Sequence, residues 1–169
     1  MINKNIKVLK DLWLYSDDCT IKETINYIKQ KAQLRDAQIE AIEVYLFLKV
    51  KGENKPLWQL FSEGFFTLNK PLLSEEYLSS FENGIQIFAL YDFAKDNLPS
   101  LVEVIRNNPS DVDYDSIIKK IFYDINYSDY LLSLPMGAGK TYLMASFIYL
   151  DLYFALNEPS NKNFAHNFL

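Results

Sequence analysis

Along most of this chain apolar residues recur every three or four positions, the spacing that gathers them on one side of a helix. Thr20-Ile-Lys-Glu23 opens the first marked run with a hydroxyl and a carboxylate placed to satisfy free N–H groups at a helix start. Ile21, Ile25 and Ile28 follow in step. From Asp36 to about Val50 the stripe is Ile39, Ile42, Leu46 and Val50, widened by Ala41 and Tyr45. Lys51-Gly-Glu-Asn-Lys-Pro56 interrupts it, with Gly52 as the expected stop and Pro56 as the expected restart. Leu57, Trp58, Leu60, Phe61, Phe65 and Phe66 then form an aromatic cluster of the kind that fills a core.

Ser74-Glu-Glu places acids at the positive end of a further helix. Ile85 to Ala94 is strongly apolar and predicts a central helix. Pro99 suits the first turn of a short helix reaching Arg106, closed by Asn107-Asn-Pro109. Asp113 to about Ile125 is amphipathic through Ile117, Ile118, Ile121 and Phe122. At Ser128 the texture changes. Asp129 to Pro135 is a short apolar run without alternation, the pattern of a strand buried on both faces. Lys140 to about Leu156 reads as a long apolar helix, Asn157 to Asn163 as a loop, and Phe164 to Leu169 as the opening of a second strand. Strand, turn, helix, loop and strand make a βαβ unit. Two strands alone cannot cover their edges, so the chain is expected to stop in the middle of a domain.

Composition narrows the picture little. Of 169 residues, 49% are hydrophobic and 23% charged, and five Gly and six Pro leave no low-complexity linker. A net charge of -5 offers no broad attraction to nucleic acid or to anionic membranes. One cysteine, Cys19, rules out an internal disulfide, fits a reducing cytoplasm and reads as a structural thiol. The single histidine, His166, has no partner in sequence for metal ligation or a catalytic dyad. No apolar run reaches membrane-spanning length, and the first residues do not open a signal peptide.

The chemistry lies in Gly137-Ala138-Gly139-Lys140-Thr141, between the expected strand and the long helix. Glycines let the backbone turn tightly and point N–H groups inward, making a cradle for an anion. The helix that follows adds its positive end. Lys140 would reach the β- and γ-phosphates of a nucleotide, and the Thr141 hydroxyl would ligate Mg2+. The strict pattern has a glycine five residues before Gly139, where this chain has Leu134. Asp151 follows apolar residues, as a magnesium-binding acid would. It comes only eleven residues after Lys140 in the same helical run, so it reads as a helix residue without metal duty.

Leu-Pro-Met-Gly-Ala-Gly-Lys-Thr, ending at Thr141, resembles the first ATPase motif of superfamily 2 helicases of the DEAD/DEAH type, with Met136 in place of the usual Thr. Leu34-Arg35-Asp36-Ala37-Gln38-Ile39-Glu40-Ala41-Ile42 is similar to the segment that precedes that motif in these proteins and in the Res subunit of type III restriction enzymes. The resemblance implies that Gln38, and Arg35 near it, meet adenine, since a carboxamide offers donor and acceptor together. Ala37 replaces the family's Tyr. About a hundred residues separate Gln38 from Lys140, where the family has a shorter spacer.

The expected fold is mainly α with a small α/β part. N-terminal helices over 1–50 carry the adenine-recognition-like segment, a helical insertion spans 51–127, and 128–169 begin a truncated RecA-like P-loop domain. The resemblance implies ATP and Mg2+ as ligands of the full-length parent. It also implies DNA contacts through regions outside this chain and a cytoplasmic role in restriction or phage defence, with a partner subunit and no membrane. Lys140 and Thr141 carry the catalytic expectation, yet this chain lacks the acid and arginines that hydrolysis needs. The alternative is a helical protein-interaction module with an inert P-loop remnant.

Overall fold

The computed structural model describes residues 2–68 and 84–168, and the helix expected at Ser74 lies outside them. The chain is mainly helical, and among the described residues there is no strand. Among the described residues eight α-helices follow in order: α1 Ile2–Tyr15, α2 Lys22–Lys31, α3 Asp36–Leu46, α4 Leu57–Ser62, α5 Gly84–Asn97, α6 Pro99–Asn107, α7 Tyr114–Ile121 and α8 Lys140–Asn157. They fall into two compact units. One holds the start of the chain to Leu9 together with Lys55–Asp129, and the other holds Lys10–Asn54 with Tyr130–Leu169.

In the first unit the aromatic cluster is core, as its sequence predicts. Leu60, Phe61 and Phe66 are buried with Leu90 and Ile118. The Phe61 ring lies 6.0 Å from Phe93, edge on, and 5.5 Å from Phe122. Pro99 opens α6 and Asn108 closes it, as expected. The Asp113 carboxylate accepts the Ser116 N–H at 3.1 Å and caps α7, which ends at Ile121, earlier than its stripe suggested. Tyr123 and Asp124 take positive φ there, and the Asp124 N–H closes the end of the helix on the Lys119 carbonyl at 2.9 Å.

The second unit carries the candidate site. Ile21 and Ile25 bury one face of α2, and Ala41, Ile42 and Leu46 bury one face of α3. The expected capping box fails at Thr20. The N-cap position is Ile21, which has no side chain able to cap, and Thr20 stays exposed in the preceding turn. α3 runs into a single π-helical turn, Phe47–Lys51, closed by the Gly52 N–H on the Phe47 carbonyl at 3.1 Å. Gly52 stops the helix through close approach, with φ at -84°: a Cβ there would sit 2.6 Å from the Leu48 carbonyl oxygen.

The strand expected at 129–135 does not form. Residues 131–134 make no ladder among the described residues, and burial alternates along the segment. Tyr130, Leu132 and Leu134 are half-buried while Asp129, Leu131 and Ser133 are exposed, Leu131 at 96%. The segment therefore has one covered face, where two were expected. Phe164–Leu169 is not a strand either, over the residues described. Phe164 turns inward and stacks on Phe154 with ring centres 4.5 Å apart. α8 itself spans Lys140–Asn157, as its sequence predicts.

Candidate phosphate-binding site

Three residues set the turn before α8. Gly137 and Gly139 have φ of 76° and 74°, and Ala138 between them does not share the positive sign. Alternating handedness of this kind turns successive N–H groups to one side and their carbonyls to the other. The Ala138 N–H is used inside the turn, on the Pro135 carbonyl at 3.2 Å. The N–H groups of Gly137, Gly139, Lys140 and Thr141 have no acceptor among the described residues. Two of these open α8, where the peptide dipoles leave a partial positive charge.

The carbonyl side of the turn is held from behind. The Gln38 Nε2 amide donates to the Gly139 carbonyl at 3.1 Å, and the Arg35 guanidinium donates to the Gly137 carbonyl through Nη1. The Gln38 Oε1 atom accepts the Arg35 backbone N–H at 2.9 Å, which satisfies one of the free donors at the start of α3. Those partners fix which end of the carboxamide is oxygen. Gln38 is 5% exposed and Arg35 is exposed. Sequence reasoning singled out both for a nucleobase; the structure places both against the turn itself, bringing together segments about a hundred residues apart. The φ of Gly139 is what favours glycine there, and a Cβ would also lie 2.7 Å from the Gln38 amide nitrogen and push that carboxamide off the Gly139 carbonyl.

Lys140 and Thr141 stand exposed on the first turn of α8, with no polar partner among the described residues. Thr141 is thus free to offer one oxygen to a cation. Asp151 is not. It lies inside α8 and is buried, its carboxylate accepting from the Tyr45 hydroxyl at 2.5 Å and the Ala165 N–H at 3.1 Å. Lys49 Nζ completes the group at 3.3 Å and also donates to the Asn163 carbonyl at 2.9 Å. Burial raises the Tyr45 phenol above its ordinary value, and the bond to Asp151 raises it further. This ion pair pins the segment around Phe164 onto α3 and α8.

A second buried pair joins α1 to α3. Lys10 Nζ meets Glu43 at 2.7 Å and Asp11 at 2.9 Å, and Lys29 meets the other Glu43 oxygen at 2.5 Å. Burial works against the Lys10 ammonium, but these carboxylates outweigh it and hold its pKa above the usual lysine value. Sequence reading missed both pairs. Their signal was present: Lys49 and Asp151 each interrupt an apolar run, and an ionisable residue there needs a counter-charge. Burial pushes the Cys19 thiol up, in keeping with a structural role. His166 is exposed.

Between α2 and α8 runs a groove of about 810 Å³, with Tyr27, Leu34, Ile42, Tyr142, Tyr149 and Tyr153 along it. Leu34 adjoins Arg35 and Tyr142 adjoins Thr141 in sequence, so one end of the groove borders the turn. No helix among the described residues is long and apolar enough to cross a membrane. Among the same residues no cluster of three His, Cys, Asp or Glu could hold a metal. No family model, curated protein or solved structure matches the chain.

Proposed function

We propose that the turn at 137–141 receives the phosphates of ATP, and that the chain is the N-terminal part of a superfamily 2, DEAD/DEAH-like helicase or translocase. One observation carries this reading. The two segments that resemble the family's motifs meet in space, Arg35 and Gln38 lying behind a turn in which the N–H groups of Gly137, Gly139, Lys140 and Thr141 have no acceptor among the described residues. The N–H groups and the end of α8 offer hydrogen bonds and positive charge to phosphate oxygens. Lys140, exposed on the first turn of α8, would add a full charge for the terminal phosphates, and the groove beside Leu34 and Tyr142 offers apolar surface to the nucleoside.

The residues fit a Mg2+ that arrives on the phosphates, for which Thr141 supplies one hydroxyl. Asp151 is locked to Tyr45 and Lys49, and among the described residues no other acid is placed beside the turn to orient water. Binding, and not hydrolysis, is its share of the reaction.

Thermal unfolding with and without Mg-ATP or inorganic tripolyphosphate tests the reading. At about a hundredfold excess over Kd, a ligand that binds only the folded chain adds about 2.7 kcal/mol of stability. Lys140→Ala should remove most of the shift, and an unshifted wild type overturns the proposal. The rival reading, an interaction module with an inert turn, is favoured by the exposed Met144, Tyr149 and Leu156 on α8. It predicts that unshifted result.

A further inference from the structure

We infer that Arg35 and Gln38 are positioning residues that hold the phosphate cradle in shape from behind, acting on the turn and not on the nucleobase. The inference rests on the phosphate-binding reading above and assigns these two side chains a different task from base recognition. In the turn, N–H groups and carbonyls face opposite ways. Arg35 takes the Gly137 carbonyl and Gln38 the Gly139 carbonyl, so both glycine peptides are held by their oxygen ends. Fixing the Gly139 oxygen fixes the direction of the open Lys140 N–H in the same peptide before any ligand arrives, while the Gly137 oxygen shares its peptide with the Ala138 N–H that the turn already uses on Pro135, so Arg35 holds the shape of the turn. A ligand then finds donors already oriented and need not organise a flexible glycine turn.

Gln38 is well placed for this task and poorly placed for reading a base. Its amide nitrogen is committed to Gly139 and its oxygen to the Arg35 N–H, and the side chain is 5% exposed. A base edge would have to reach the remaining hydrogen and lone pair through that burial. The two residues are also linked. Gln38 holds the Arg35 backbone while the Arg35 side chain reaches the turn, so α3 grips the turn at two points.

Calorimetric titration of the 169-residue chain with Mg-ATP, Mg-GTP and inorganic tripolyphosphate separates the tasks. Gln38→Ala should weaken all three by a similar factor of about five to ten, the loss expected from one oriented hydrogen bond. Arg35→Ala, at an exposed position that should leave folding intact, should do likewise. Arg35→Lys keeps the charge but not the planar donor, and should recover only part of the affinity. In amide NMR the Gly137 and Gly139 signals should broaden in the unliganded Gln38→Ala and Arg35→Ala chains, while signals from α5 to α7 stay put. A structural role alone would not move those two signals selectively.

Loss of ATP binding with tripolyphosphate binding unchanged overturns the inference and returns Gln38 to the base. Unchanged affinities in folded Gln38→Ala and Arg35→Ala overturn it as well. A wild-type chain that binds none of the three sinks the phosphate-binding reading itself, and with it this inference.

Discussion

Tyr45 shows how one hydroxyl can tie distant parts of a unit together. Its proton sits between the phenol and the Asp151 carboxylate, which also serves Lys49 and the Ala165 N–H. Tyr45→Phe removes a hydrogen bond to a charged, buried group and should cost about 1.5–3 kcal/mol near neutral pH, read by urea unfolding. The deficit should shrink in alkali. Because the folded phenol is raised above its ordinary value, the unfolded chain loses this proton first as pH climbs past about 10. Wild-type stability therefore falls in that range, whereas the Phe variant escapes this contribution to the fall. Lys10, also raised, acts with the same sign: its contribution is present below the ordinary lysine value and is lost as pH rises through the folded one. A Tyr45→Phe deficit that grows with pH would contradict the assignment.

At the scale of elements, the turn at Phe47–Lys51 makes its own demand. Gly52 has an ordinary φ, and what it needs is room: Gly52→Ala would press a methyl against the Leu48 carbonyl oxygen. A cost of about 1–3 kcal/mol is expected, as for other overpacked sites, with a lowered midpoint in thermal unfolding. Legibility in the sequence divides along the same physical line. Helices α4, α6 and α8 could be read because a helix satisfies its backbone within its own residues, and Pro56, Pro99 and Gly139 mark where each begins. The run at 129–135 could not be settled that way, since a strand exists only when another segment bonds to it. Thr20-Ile-Lys-Glu23 has the composition of a capping box, but packing of Ile21 and Ile25 moved the helix start by one residue. Arg35 and Gln38 were visible as candidates. Their hold on the turn was not, because it depends on a contact between segments about a hundred positions apart.

Across the whole molecule, both units are built from separated stretches of chain. In the second unit the two stretches meet near their breaks, where the Tyr130 hydroxyl lies 3.5 Å from the Asn54 side-chain oxygen. Asn54 and Tyr130 are the residues next to the long 55–129 excursion. The turn, its clamp, the groove and the buried Lys49–Asp151 pair all fall within this single unit, so the proposed chemistry draws on nothing in the other.

Residues 131–134, whose peptide groups pair with no backbone among the described residues, have a consequence for handling the protein. Unclaimed donors and acceptors beside a bare leucine invite a second molecule to dock in register and knit the two together. Sedimentation at rising concentration should detect such pairing, and Leu131→Lys should suppress it by setting like charges face to face. Equal association by both proteins would locate the sticky surface elsewhere.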